Sequence, residues 1–475
     1  MPVKAQAGGP PPRHGWRAAR FVPWVLYATG AAAQAPLTLE QAINLGLRDN
    51  PALAVARYDI DIARLGVGIE DAAFRFIASP VVRGEVGKDG ASSLVGVGGS
   101  QLLRTGQQFS GTVGLTTAGS ADPQLGVVVQ IEQPLFRRSG RLIAEAGLDA
   151  AQRQDRRAQR AETSRRAALA LDVVRQYTGL LEQQGRVASA EQALDRGDRF
   201  LRLVSARESV GKLSRVDTLR AELQLGRARA ALQDSRSAQR SAQDAFAQLL
   251  GKPAGSVFEL VRPPVPLYAE VDAGTVLGVA ERHRVELAQA RDDEDAAQRS
   301  LAVAARGVLP DLRVSVGYRD LGLLDNATPF STSGPFIGVS AGLDLDRARA
   351  EGRVAQERLR LEQSGGGAGV QHDNIAREVA DGVRERQAAY EGQQLAARNQ
   401  EFAQRQLDLA QRLFELGRES ALTVSQAEDQ LQQSELARLA ADSRVVVAAY
   451  ALARAAGTLL ESPETAAPLA SLAPR

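Results

Sequence analysis

No cysteine occurs in the 475 residues, and the only methionine is the first. Disulfides, thiolate metal sites, a cysteine nucleophile and a lipid-modified N-terminal cysteine are thereby excluded, while the redox compartment stays open. Histidine occurs only at His14, His283 and His372, too scattered for a zinc site or a Ser-His-Asp site. No nucleophile–base–oxyanion set and no phosphate loop can be assembled, so neither an enzyme nor a cofactor is expected. Net charge is +2 with both signs interleaved, and no basic block with aromatics points to nucleic acid as a partner. Aromatic residues are few and alanine is abundant, which suits long helices packed through small side chains. No apolar run reaches eighteen residues, so a membrane crossing would require a closed β-barrel.

At the N-terminus, Arg13, Arg17 and Arg20 precede an apolar run from Phe21 to Ala33 that ends in small residues. Residues 1–35 read as a secretory signal cleaved near Ala33 or Ala35, the first favoured because Pro36 follows the second. The alternative is a disordered basic tail.

Proline is missing between Pro134 and Pro253 and again between Pro335 and Pro463. Two such gaps permit very long helices. The first holds a helix-forming stretch from Arg141 to Glu208, a break at Gly211 and a return helix from Ser214 to Leu250. The second repeats this from about Arg347 to Glu415, with a break at Gly417 and a return from Ser420 to Ala456. VGKLSRVDTLRAELQLG aligns with LGRESALTVSQAEDQLQ without a gap, Gly211 on Gly417 and Ser214 on Ser420, at an offset of 206 that holds as far as Gly251 and Gly457. Each long helix spans about 100 Å and its return partner only about 55 Å at ~1.5 Å per residue. Upstream segments, Pro51 to about Ala78 and Arg284 to about Val308, supply the missing length if two shorter helices stack end to end. Residues 36–252 therefore form a first structural repeat, 253–273 a Pro-containing linker, 274–457 a second repeat and 458–475 a C-terminal tail.

Between the short upstream helix and the long one, apolar and polar residues alternate. Arg83, Glu85, Gln130, Glu132, Arg313, Ser315 and Asp344 mark the polar rows against Val82, Val129, Ile131, Val314, Val316 and Leu343. A membrane barrel with a wet lumen shows this pattern, as does a soluble antiparallel sheet with one wet face. About four antiparallel strands are expected. The segment from Phe109 to Thr116, preceded by SLVGVG, is either an added hairpin or a lengthening of these strands. SGGGAGVQHD (364–373) interrupts the second long helix as a local unwinding, a hinge or an insertion.

Three stretches carry a resemblance: PLTLEQAINLGLRDNPAL near the mature start, VVVQIEQPLF at the strand-to-helix passage, and the paired tips VGKLSRVDTLRAE and LGRESALTVSQAED. With them the chain resembles the TolC-like outer-membrane efflux proteins, the outer membrane factors, over nearly all its length after Ala35. The resemblance implies a mainly α fold with a membrane β-barrel: a homotrimeric α/β-barrel tunnel in outer-membrane lipid that extends into the periplasm. It further implies a passive duct of a tripartite efflux or type I secretion system. Its partners would be a periplasmic membrane-fusion adaptor protein and an inner-membrane transporter. Val210, Gly211, Lys212, Leu213 and Ser214, with Leu416, Gly417, Arg418, Glu419 and Ser420, become the periplasmic tips that receive the adaptor.

The resemblance also implies a gate, and here the chain departs from the pattern. Asp217 matches the family's gate aspartate, but Phe414 stands where a tyrosine is expected and Glu419 where an arginine is expected. Thr423 and Gln426 occupy the positions of the carboxylates that ring the constriction. A substitute pair of Asp217 with Arg412 or Arg418 is one candidate, and a solvated surface charge is the other. Loss of the acidic ring implies weak block by multivalent cations. A non-channel periplasmic coiled-coil structural protein remains as the alternative function, distinguished by whether alternating strands form a sheet.

Overall fold

A computed structural model describes residues 36–87, 90–118, 123–265, 270–320, 334–343 and 346–460. Residues 1–35, expected to be a signal, Asp344 and residues 461–475 lie outside them. Nine helices and six strands follow in order among the described residues: α1 (Leu39–Asp49), α2 (Pro51–Ala72), β1 (Ile77–Gly87), β2 (Gly90–Leu102), β3 (Gln108–Ala118), β4 (Gln124–Pro134), α3 (Arg141–Ala144), α4 (Ala146–Ser209), α5 (Arg215–Leu249), α6 (Ala273–His283), α7 (Val285–Arg306), β5 (Asp311–Asp320), β6 (Gly334–Gly342), α8 (Ala348–Glu415) and α9 (Ala421–Ala455).

The duplication reaches further than the tips. α1 and α2 fall on α6 and α7 at an offset of 234, Leu39 on Ala273 and Pro51 on Val285, while α5 falls on α9 at 206, Arg215 on Ala421. The 28 residues lost between the two offsets are within one of the 29 in the hairpin of β2 and β3, Gly90 to Ala118. That hairpin is an insertion carried by the first repeat alone.

The helices form a layer four wide. α2 and α5 both pack on α4, and α7 and α9 both pack on α8 and on α4. End-to-end stacking is made at two equivalent joints. Asn50 caps α2 and donates from Nδ2 to the Leu249 carbonyl at the end of α5, at 2.8 Å. Arg284, its equivalent at the offset of 234, precedes α7 and donates from Nη1 to the Arg454 carbonyl at the end of α9, at 3.2 Å. Its side chain is only 8% exposed and also pairs with Glu286 and Glu378. Orphan carbonyls at two helix ends are thus satisfied by the helices that follow them in space.

Around the first joint lies the largest apolar core, with Leu39, Ile43, Leu171, Val174, Tyr177, Phe246, Leu250 and Phe258. The Tyr177 hydroxyl reaches the carbonyls of Leu37 and Val261 at 2.7 and 2.6 Å, tying the linker to the long helix. Thr38 opens α1 with a capping box to Gln41. α1 and α6 have no counterpart in the helices expected from periodicity, although the TLEQ signature marks the first.

Three expectations are corrected. The sheet has six strands in the order β1-β2-β3-β4-β5-β6, all antiparallel, rather than about four. The segment from Phe109 to Thr116 is β3 of an added hairpin. The glycine-rich stretch 364–369 does not interrupt α8, which runs from Ala348 to Glu415 without a break. Added Cβ atoms at Gly365, Gly366, Gly367 and Gly369 would meet nothing, so these glycines lie on an open face; each costs about 1 kcal/mol against alanine, which the cooperative length of the helix absorbs. Finally, α2 stops at Ala72 rather than near Ala78, because Ile77 is already paired with Ser100 in the sheet.

Candidate functional site

The two tips are the same turn built twice. Gly211 and Gly417 take φ of 73° and 72°, the left-handed region where a side chain would be strained. Lys212 N–H donates to the Arg207 carbonyl and Arg418 N–H to the Leu413 carbonyl, both at 2.9 Å, closing each long helix with a Schellman turn. Ser214 and Ser420 then cap the return helices from matching backbone angles. The capping partners differ. Asp217 accepts from the N–H and hydroxyl of Ser214, at 3.2 and 2.7 Å, and lies 3.7 Å from Arg220. In the second tip Thr423 donates to Glu419 at 2.9 Å, so Glu419 takes over as the carboxylate of the cap. Within one protomer no ion pair joins Asp217 to Arg412 or Arg418, both of which are exposed.

Phe414 is 2% exposed and packs against Phe200, the rings tilted by 51° with centroids 5.5 Å apart. It belongs to an apolar cluster with Val204, Ala221, Leu407, Val424 and Leu431 that glues the two hairpins together. Arg207 locks the same corner, its guanidinium 4.8 Å above the Phe414 ring and donating to the Phe414 and Glu415 carbonyls at 2.7 and 3.0 Å. Sequence reasoning missed Arg207; its place one turn before the first glycine was the available signal. Thr423 is half-buried and Gln426 exposed. Beyond the glycines, Val210 and Leu416, equivalent at the offset of 206, leave large aliphatic side chains 65% and 69% exposed at the end of the molecule.

One turn further up, Glu428 is buried against α4 and α5. Burial pushes its pKa up to about 7, opposed by the charge of Arg196 and by the Gln224 amide, which donates to it at 2.7 Å. At the offset of 206 Glu428 falls on Glu222, which is exposed, and the sequence carries no hint that only one of the two is buried.

At the other end of the layer the register sorts the strand residues into two faces. Val82 pairs with Val95, Val95 with Leu115 and Leu115 with Leu125, while Ile131 pairs with Val316 and Val316 with Ile337. All seven of these side chains are exposed. Arg83, Gln130, Glu132, Arg313 and Ser315 occupy the opposite face, and Glu85 holds the next position of the Arg83 row. Arg313 bridges Asp311 at 2.8 Å and Glu132 at 3.3 Å. Asp344 falls outside the described residues.

A sheet with one continuous bare apolar face, standing on a helical layer about 100 Å long by its rise, is the geometry of a barrel wall and not of a coiled-coil scaffold. Comparison with known proteins agrees. The family described as Outer membrane efflux protein matches residues 42–252 and 276–458. The chain belongs to that family. Among solved structures, the outer membrane protein VceC from Vibrio cholerae superposes with a TM-score of 0.67 at 20% identity, covering 88% of this chain and 96% of that one. The open state of the Neisseria gonorrhoeae MtrE outer membrane channel gives 0.65 at 16% identity, covering 89% of each chain. The Campylobacter jejuni CmeC outer membrane channel gives 0.65 at 13% identity, covering 90% and 87%. No curated protein matches the sequence. The chain is therefore an outer-membrane efflux channel whose helices extend into the periplasm. Among the described residues no helix is long and apolar enough to cross a membrane.

Proposed function

We propose that three copies of this efflux protein close into one tube. In it β6 of each copy pairs with β1 of the next, and α8 of each lies against α2 and α5 of the next. The observation that carries this is an exposed apolar seam on each outer edge of the helical layer. Val55, Tyr58, Ile62, Leu65 and Ile69 line α2 at alternating steps of three and four, and Val216, Leu219 and Leu223 continue the line on α5. Leu395, Phe402 and Leu409 line α8 at steps of seven. These are the spacings of knobs-into-holes packing, and edges that complement each other head to tail close into a ring.

In this assembly the polar rows of the sheet, with Arg83, Gln130, Glu132, Arg313 and Ser315, face a water-filled lumen, and the valine rows face lipid. The tips meet a periplasmic adaptor: Val210 and Leu416 are the apolar contacts it covers, framed by Lys212, Arg418 and Glu419. Cargo passes without covalent change, driven by an inner-membrane transporter, and the chain is not an enzyme. Residues 36–252 and 274–457 act as the two repeats, 253–273 as the linker and 458–475 as the tail; residues 1–35 are the signal that exports the chain. Asp217 acts at the tip as a helix cap, its gating partners lying across protomers.

Replacing Tyr58, Ile62 and Leu65 with aspartate tests the closure. The variant should purify in detergent as a monomer with its helical circular dichroism intact. A variant that remains trimeric contradicts the seam.

A further inference from the structure

We propose that the inserted hairpin β2–β3 gives this channel an eighteen-stranded membrane barrel as wide as the helical tube beneath it, so that the duct does not narrow in the outer membrane and its exit admits bulkier solutes than four strands per protomer would allow. This rests on the trimeric reading above.

The hairpin is a full part of the wall. β2 is registered against β1 from Ser100 to Gly90 and against β3 from Leu102 to Ser92, so Ser92 to Ser100 are paired on both sides. The apolar face crosses it without a gap, from Pro80 through Val97 and Val113 to Val127. A hairpin folded away from the wall would break that belt and give up its ladders with β1 and β4. On the opposite face Gly96 and Gly114 come so close that a Cβ on Gly96 would lie 2.2 Å from the Val113 carbonyl oxygen. The strands are therefore tightly joined there.

The helical framework also holds the hairpin. Its turn carries Arg104, which donates to Asp71 at the end of α2 at 2.8 Å and to Glu145 at the head of α4 at 3.1 Å. The same guanidinium lies 5.1 Å from the Phe74 ring centroid, and Gln101 Nε2 donates to the Phe74 carbonyl at 3.1 Å. Phe76 and Phe109 pack ring against ring at 6.5 Å. One end of the insertion is thereby fixed to the junction between barrel and tube.

Widths decide what the insertion does. With strands about 4.8 Å apart and tilted by about 40°, each strand takes roughly 6 Å of the barrel circumference. Six strands take about 38 Å, and four would take about 25 Å. The four-helix layer below, with axes about 9 Å apart, is about 36 Å wide. Six strands match that width and four do not. Eighteen strands close at a backbone diameter of about 36 Å, twelve at about 24 Å, so the insertion roughly doubles the area of the exit.

The test is electron cryomicroscopy of the full-length protein in detergent, with a variant lacking residues 90–118 beside it. Both ends of that deletion lie at the outer rim, so β1 and β4 can meet directly. The full chain should show a three-fold barrel about 36 Å across that continues the tube without a step, and the deletion should narrow the barrel by about a third while leaving the tube unchanged. In planar bilayers the deletion should also lower the size of polymer excluded from the outer side. A three-fold full-length particle with a barrel of about 24 Å and the hairpin outside the wall overturns the proposal and leaves the trimer standing. A particle with no closed three-fold ring overturns the trimeric reading with it.

Discussion

The guanidinium of Arg207, at the end of the first long helix, lies 4.8 Å above the ring of Phe414, at the end of the second. It also donates to two carbonyls there, at 2.7 and 3.0 Å. One side chain thus ties the two periplasmic turns to each other. Arg207→Ala should loosen this corner by about 2 kcal/mol, the range for hydrogen bonds made by a charged donor. Arg207→Lys should recover little, because an ammonium cannot fork to both carbonyls while stacking on the ring. Hydrogen exchange at residues 207–214 and 413–420 reads the effect; unchanged protection contradicts it.

The joints invite a second substitution. Arg284 is buried between α9 and α7, and its removal takes a donor from the last carbonyls of α9 and one of two cationic partners from Glu378. Arg284→Ala should destabilise the second repeat by about 2 kcal/mol, the range for hydrogen bonds made by a charged donor. Asparagine does the same capping at the equivalent first joint through Asn50. Arg284→Asn should therefore recover part of the loss in thermal denaturation, and equal loss in both variants would deny the equivalence.

Glu428 makes the tip region sensitive to pH. Burial holds its pKa near 7, above the ordinary 4.5. A raised carboxyl pKa gives stability that is complete below the unfolded value, declines as the unfolded carboxyl ionises, and is gone once the folded group ionises as well. The hairpins should thus be more resistant to melting at about pH 5 than at about pH 8, by more than in Glu428→Gln. If the wild-type protein and this variant show the same pH dependence, Glu428 is not the responsible group.

Cation block offers a fourth test. Thr423 and Gln426 stand where an acidic ring is expected, and Gln426 is exposed. Gln426→Asp places three carboxylates around one tube and should create block by trivalent cations, where the wild-type channel shows little. Strong block of the wild type would contradict the assignment of the constriction.

The sequence made the helical framework legible because its signals are local. Proline gaps set the lengths of α4 and α8, glycine and serine set the tips, and the offset of 206 exposed the duplication. The sheet was half legible. Val314, Val316 and Tyr318 alternate cleanly, but β2 reads GASSLVGVGGSQL, where glycine and serine replace most side chains and the period of two fades. Its membership is settled by pairing with β1 and β3. The glycine-rich part of α8 misled for the opposite reason, since weak local propensity was overridden by a long helix packed along its other face. Glu428 and Arg207 acquire their roles from contacts across about two hundred residues, between Glu428 and Gln224 and between Arg207 and Phe414, and no local pattern announces them.

The central claim is that this chain works as three copies closed around one duct through the outer membrane. Native mass spectrometry of protein extracted from the outer-membrane fraction tests it most directly. The account predicts that detergent is needed for extraction and that the particle contains three chains, falling to one when Tyr58, Ile62 and Leu65 are replaced by aspartate. A monomer released without detergent would contradict it.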